Sequence, residues 1–253
     1  MSENWLQDRI SELKASVAFC TRLPFLGTAT IGSGALAKAA WAFPLAGLLV
    51  GFMAALTYGL AHSAGIAAWP AAALSLGASL LVTGCLHEDG LADTADGFGG
   101  GKSREQKLDI MRDSRIGTYG VCALFVALLL RVGVLASFFS TTSAVWALLA
   151  AHAGARAAMM ALMLIVPPAR RDGLSSDAGQ PPIESVTVAA VIGFIVAAIC
   201  LGPWRAIVAV ILLIAVVELM AWLSRRQIGG QTGDVLGAVE QTAEIVILLV
   251  ALR

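Results

Sequence analysis

Residues 204–223 read WRAIVAVILLIAVVELMAWL, twenty positions with only two charges, Arg205 and Glu218. A bilayer's hydrocarbon core is about 30 Å thick and is crossed by ~20 predominantly apolar helical residues, so this stretch has the length and character of a transmembrane helix. Outward from it, residues 39–61, 67–86, 119–139, 144–166, 186–201 and 235–252 approach the same pattern. Hydrophobic residues make up 58% of the 253 and charged residues 13%, against about 25% charged in soluble domains, which excludes a soluble globular protein. The sequence predicts an all-α, polytopic integral membrane bundle of about seven transmembrane helices. The stretch 186–201 is short and 235–252 is impure, so six to eight spans fit.

Ahead of the spans, Leu6, Ile10, Leu13 and Val17 recur at helical spacing with charges between them, the pattern of an amphipathic helix lying in the membrane interface. Arg22-Leu23-Pro24 ends it. Glu3, Asp8 and Glu12 interrupt the first twenty residues, so no cleavable signal peptide is expected. A single catalytic membrane domain over 1–253 follows, with 1–38 as interfacial helix and linker and 39–253 as the bundle. Seventeen basic and seventeen acidic residues cancel, which removes the electrostatic footprint of a nucleic-acid partner. Cys20, Cys85, Cys122 and Cys200 stand singly and read as small buried hydrophobes. A homo-oligomer is compatible with the sequence and not specified by it.

Lys and Arg concentrate on the cytoplasmic side of membrane proteins. With seven spans, Arg9, Lys14, Arg22 and Lys38 precede the first, and Lys102, Arg104, Lys107, Arg112 and Arg115 share their side with Arg170-Arg171 and Arg225-Arg226. The other side holds only Arg205 and Arg253, while Arg131 and Arg156 lie within spans. A bacterial inner-membrane protein is expected, with the N-terminus and the hydrophilic loops 87–118, 167–185 and 224–234 cytoplasmic and the C-terminus periplasmic.

Those loops carry the chemistry, beginning with HEDGLADTADG at 87–97. If the second span continues as a helix, Asp89, Asp93 and Asp96 fall at i, i+4 and i+7 on one face. Carboxylates roughly 6 Å apart repel by about 3 kcal/mol per pair at an effective dielectric near 20. A hard divalent cation offsets that, and Mg²⁺ held by a few carboxylates and substrate phosphates is its common enzymatic use. The alternative is a solvated acidic helix end. The following GFGGGKS at 97–103 is no P-loop, because the first glycine of that motif would fall on Asp96 and no strand precedes it. It reads as the end of the acidic helix at Gly97 and the start of another at Ser103, with Gln106 at capping-box spacing. Gly99 and Gly100 either present backbone N–H groups to a phosphate or form a plain connector.

Arg112 and Arg115 are three apart, and on a helix both guanidinium groups point one way, toward phosphate oxygens. Beside an acidic cluster this reading stands against plain juxtamembrane positive charge. Asp113 lies between them, and Asp234 sits among glycines at the mouth of the last span, both candidates for the active face. His87 adjoins the acidic motif as a candidate base or substrate donor. Glu240 and Glu244 share one face of the last span, where an unpaired carboxylate is expensive. Ion pairing with Arg131 and Arg156 competes there with metal or substrate binding. His152 reads as a packing residue.

At these residues the chain resembles the cobalamin synthases, the adenosylcobinamide-GDP ribazoletransferase family of membrane enzymes. The resemblance runs through Arg22-Leu23-Pro24, Phe43-Pro44-Leu45, His87 with the segment 89–97, the segments 110–118 and 229–244, and Arg156 in the fourth span. It implies a Mg²⁺-dependent coupling late in cobalamin biosynthesis. A hydroxyl of α-ribazole or its 5′-phosphate attacks the cobinamide-side phosphorus of adenosylcobinamide-GDP, GMP leaves, and adenosylcobalamin or its 5′-phosphate results. In that scheme Asp89, Asp93 and Asp96 hold Mg²⁺ with Asp113 or Asp234, Arg112 and Arg115 stabilise the phosphates, and Arg156 is grouped with these phosphate contacts. A phospholipid-synthase-like phosphotransferase is the alternative, but Asp93 follows Ala92 where that class carries Arg. A transporter would use Arg131, Arg156, Glu218, Glu240 and Glu244 within the membrane.

Overall fold

Alanine and glycine decide which helix lies at the centre. Residues 150–158, AAHAGARAA, offer two neighbouring faces of small side chains, and helices in a bilayer associate where small residues let backbones approach. The computed structural model describes residues 3–23 and 34–252, which are helical apart from connecting loops and one isolated bridge between Pro168 and Gln231. The helices are α1 (Glu3–Cys20), α2 (Ala35–Lys38), a 3-10 turn (Ala39–Ala42), α3 (Phe43–Ser63), α4 (Ala68–Thr83), α5 (Leu86–Gly100), α6 (Arg104–Ile110), α7 (Thr118–Ala136), α8 (Thr141–Ile165), α9 (Leu174–Ala178), α10 (Ile183–Leu201), α11 (Pro203–Ile228) and α12 (Gly233–Leu252).

The alanine-rich α8 packs against α3, α10, α11 and α12. A methyl group at Gly51 of α3 would lie 2.9 Å from the Leu148 carbonyl oxygen of α8, so only glycine permits that crossing. The consequence is an inner pair and an outer pair: 78% of the apolar window of α8 and 67% of that of α12 are buried, against 22% for α10 and for α11. Leu81, Ile199, Ile211 and Phe125 on these apolar helices face outward and are exposed, the arrangement of side chains that meet lipid. Exposed tryptophans fall near helix ends, Trp69 and Trp204 on one side and Trp222 toward the other, as in membrane aromatic belts.

Six helices are long and apolar enough to cross a membrane, and the pair α4–α5 makes a seventh if it is one span, in agreement with the expected count. That seventh is broken. Gly84 and Cys85 both take left-handed backbone angles and the axis turns by 90°, so the acidic helix is a separate element and does not continue the second span. The end of α1 wedges against the bend: the Arg22 N–H donates to the Val82 carbonyl at 2.7 Å. Accordingly only the first half of α1 leaves its apolar side chains exposed, as the expected interfacial helix would. Leu6 and Ile10 are exposed, whereas Val17, Cys20 and Thr21 are buried in the bundle. Of the four cysteines expected to be buried, only Cys20 is; Cys85 and Cys122 are exposed and Cys200 is intermediate. Pro24 and Arg253, read as a helix stop and a far-side charge, lie outside the described residues.

Candidate active site

The bend after α4 lays α5 across the first half of α12. A methyl group at Gly90 would meet the Asp234 carbonyl oxygen at 2.8 Å and Gly237 Cα at 3.2 Å, and one at Gly237 would meet the His87 backbone at 3.1 Å. These paired glycines bring the α5 aspartates up to Asp234. Asp89 and Asp93 stand one turn apart on α5, Asp89 exposed and Asp93 partly buried. Asp89, Asp234 and Asp96 all lie within electrostatic reach of Asp93. Among the described residues neither Asp89 nor Asp93 has a hydrogen-bonded or ion-paired side-chain partner. Asp234 accepts from the Thr232 hydroxyl at 3.0 Å and faces Arg170 at 3.8 Å.

Asp96 has a different fate. Its two oxygens accept the backbone N–H groups of Gly117 at 2.7 Å and Gly120 at 2.9 Å, so it caps α7, whose own N-cap residue Gly117 has no side chain to do so. This ties α5 to α7 and distinguishes Asp96 from the two unpartnered carboxylates.

Two cavities flank α5. One, of about 480 Å³, is lined by Asp89, Asp93, Arg112, Asp113 and Ser114 with apolar residues of α4 and α7. The other, of about 160 Å³, is lined mainly by Phe19, Phe43 and the methionines of α8, with His87, Asp89 and Asp234. Asp89 belongs to both walls.

The two arginines do not form a helical pair, because α6 stops at Ile110. The Asp113 carboxylate takes the Arg115 backbone N–H at 3.1 Å and its guanidinium at 2.7 Å, and such local side-chain bonds compete with helix. Arg115 therefore points into solvent and lines neither cavity, and its guanidinium holds the Asp113 carboxyl below the usual carboxylate range. Arg112 does reach the larger cavity and is ion-paired with Asp172. The glycines are corrected likewise. Because α5 runs on to Gly100, past the expected end at Gly97, the N–H groups of Gly99 and Gly100 belong to its own helix and are not available to a phosphate. The connector is shorter, and Ser103 accepts from the Gln106 N–H at 3.3 Å as the capping box required, while Gln106 Oε1 accepts from the Lys102 N–H at 3.1 Å.

Beneath the site lies a buried charge network. Arg131 pairs with Glu88 at 2.8 Å and with Glu244 at 2.7 Å, Arg156 pairs with Glu240 at 2.6 Å, and His152 meets Glu244 at 3.1 Å. Gln241 bridges by donating to Glu88 and Glu240, each at 3.0 Å. Every charged member is less than a tenth exposed. Of the two possibilities left open for Glu240 and Glu244, ion pairing with these arginines is what is found. With His152 they are the one trio among the described residues whose ligand atoms all lie within 4.8 Å of one another, but two guanidinium groups already neutralise the same carboxylates. Arg156, grouped by the sequence with phosphate contacts, is 1% exposed and lines neither cavity. A desolvated guanidinium needs a carboxylate, and Glu240 supplies it. His87 joins network and cavity: Nδ1 lies 3.6 Å from Glu240, while Nε2 is buried without a hydrogen-bond partner.

In the sequence Arg170 reads only as a loop charge, and no role attaches to Asp172, whose surface loop has no periodic signal, or to the methionines of α8 that line the smaller cavity. His152, read as a packing residue, belongs instead to the buried charge network through its 3.1 Å contact with Glu244. The hydrogen bond from Ser175 to Gln231 at 2.7 Å and the Pro168–Gln231 bridge fasten that loop beside Asp234.

The sequence pattern described as cobalamin-5-phosphate synthase matches residues 12–252. A relative from Bradyrhizobium diazoefficiens, named adenosylcobinamide-GDP ribazoletransferase, is 52% identical over 97% of this chain and 95% of its own length. Relatives of the same name from Mesorhizobium japonicum and Azorhizobium caulinodans are 50% and 45% identical, over 96% and 95% of this chain and 93% and 94% of theirs. No solved structure matches the chain. With the match spanning both α5 and α12 and nearly the full length shared, the chain belongs to the cobalamin-5-phosphate synthase family of transferases.

Proposed function

We propose that the protein transfers the adenosylcobinamide phosphoryl group of adenosylcobinamide-GDP to a hydroxyl of α-ribazole or α-ribazole 5′-phosphate, releasing GMP. The product is adenosylcobalamin or its 5′-phosphate, and the chain works as a single membrane domain at the cytoplasmic face of the inner membrane. The names of its relatives support the substrates. The observation that carries the chemistry is the placement of Asp89 and Asp93, unpartnered, on a helix between an arginine-bearing cavity and an apolar one.

These carboxylates suit Mg²⁺. They are hard oxygen donors, one exposed and one partly buried, with no protein cation satisfying them, whereas Glu240 and Glu244 are already neutralised. Asp89 and Asp93 would hold the ion, with Asp234 beside them, and when bound it supplies charge neutralisation for the diphosphate. Asp96 contributes by fixing α5 against α7. Arg112 meets phosphate oxygens in the larger cavity. The acceptor's oxygen forms a bond to the cobinamide-side phosphorus, the bond from that phosphorus to the bridging oxygen breaks, and GMP carries off the electron pair. Asp234, in the cavity wall beside the ion, takes the acceptor's proton; Asp113, held low by Arg115, is a weak base near neutral pH.

Purified protein in liposomes tests this. GMP should appear from adenosylcobinamide-GDP only when Mg²⁺ and α-ribazole or its phosphate are both supplied. Absence of GMP with all components present, or equal release without acceptor, would refute the proposal.

A further inference from the structure

The two cavities differ in what they can hold. The larger has Arg112, Asp113 and Ser114 on its wall, the chemistry of a charged diphosphate. The smaller has Phe19, Phe43, Met159, Met160 and Met163, with His87 the one imidazole among them. The two phenylalanine rings lie 5.9 Å apart at 53°, and thioether sulfurs make favourable contacts with aromatic edges and adapt to flat shapes. At about 160 Å³ this space is well below the ~300 Å³ at which pockets begin to enclose a drug-sized ligand. It therefore admits one ring system and excludes a corrin or a whole nucleotide. Within its wall His87 is 2% exposed and its Nε2 has no partner, a polar atom that a native interior normally satisfies. At the rim stand Asp89 and Asp234.

Resting on the transferase reading above, we infer that this cavity is the socket for the bicyclic heteroaromatic base of the acceptor nucleoside. The base packs among the phenylalanines and methionines, a ring nitrogen meets His87 Nε2, and the sugar emerges beside the Asp89 and Asp234 carboxylates. The socket thereby sets which bases the enzyme accepts, through size and flatness rather than charge.

The test is equilibrium binding to the full chain in detergent, without Mg²⁺ or donor, comparing α-ribazole with the α-riboside of imidazole. The bicyclic nucleoside should bind at least tenfold more tightly. Met163→Phe, which narrows the socket, should weaken α-ribazole at least tenfold and leave adenosylcobinamide-GDP affinity within twofold. Equal affinity of the wild-type chain for the two ribosides would overturn the assignment with no variant involved. So would Met163→Phe binding α-ribazole like wild type. Tight, base-selective binding without any GMP release would instead refute the transferase reading and leave the socket standing.

Discussion

Three aspartates on one helix face have different work because their oxygens have different neighbours. Asp96 spends both on the backbone of α7, whereas Asp93 has none to spend them on. Asp93→Ala should lower GMP release by ~10²-fold or more, the scale for removing one charge-stabilising group, with membrane insertion and thermal unfolding near wild type. Asp96→Ala should instead lower the unfolding temperature in detergent, with about 1–3 kcal/mol lost as a buried and a part-buried N–H group lose their acceptor. Arg131 offers a second contrast. Removing it by Arg131→Met leaves Glu88 and Glu244 without their guanidinium and should destabilise the protein by about 3–5 kcal/mol, read as loss of folded monodisperse protein. Adding Glu88→Gln and Glu244→Gln to Arg131→Met should restore part of it.

Among elements, the crossing of α5 and α12 sets the site. Gly90→Ala places a methyl group against the Asp234 backbone, so the helices must part, and displacement near 1 Å costs ~10²-fold in rate. Turnover should fall by about that factor while the substituted chain still inserts, measured by GMP release per folded molecule. The register of Asp89, Asp93 and Asp96 was legible because helical spacing alone puts them on one face. The break before them was not, since Cys85 in a left-handed conformation is nothing its residue type announces. Nor did charge spacing reveal that Arg112 would pair with Asp172 and Arg115 with Asp113. Those pairings depend on where α6 stops and on how the 167–185 loop is fastened to Gln231. Pattern fixes faces within a helix; contacts between loops are decided by the assembled bundle.

For the whole molecule, apolar length was sufficient to give an all-helical membrane bundle and close to the right count of spans. It could not show that α8 and α12 form the interior around a buried charge network, because Arg131 and Arg156 are identical in sequence to any other arginines in apolar runs. The loop charges set an orientation that a reporter fused after Arg253 checks: a periplasmic signal is expected, and a cytoplasmic one would mean an even number of crossings. The central claim is that unpartnered carboxylates on α5, at the junction of two unlike cavities, bind a divalent ion. Mn²⁺ titration of the purified chain, followed by electron paramagnetic resonance, tests it most directly. Mn²⁺ should bind, be displaced by Mg²⁺, and bind at least tenfold more weakly to the folded Asp93→Asn variant; equal binding by the two proteins would contradict it.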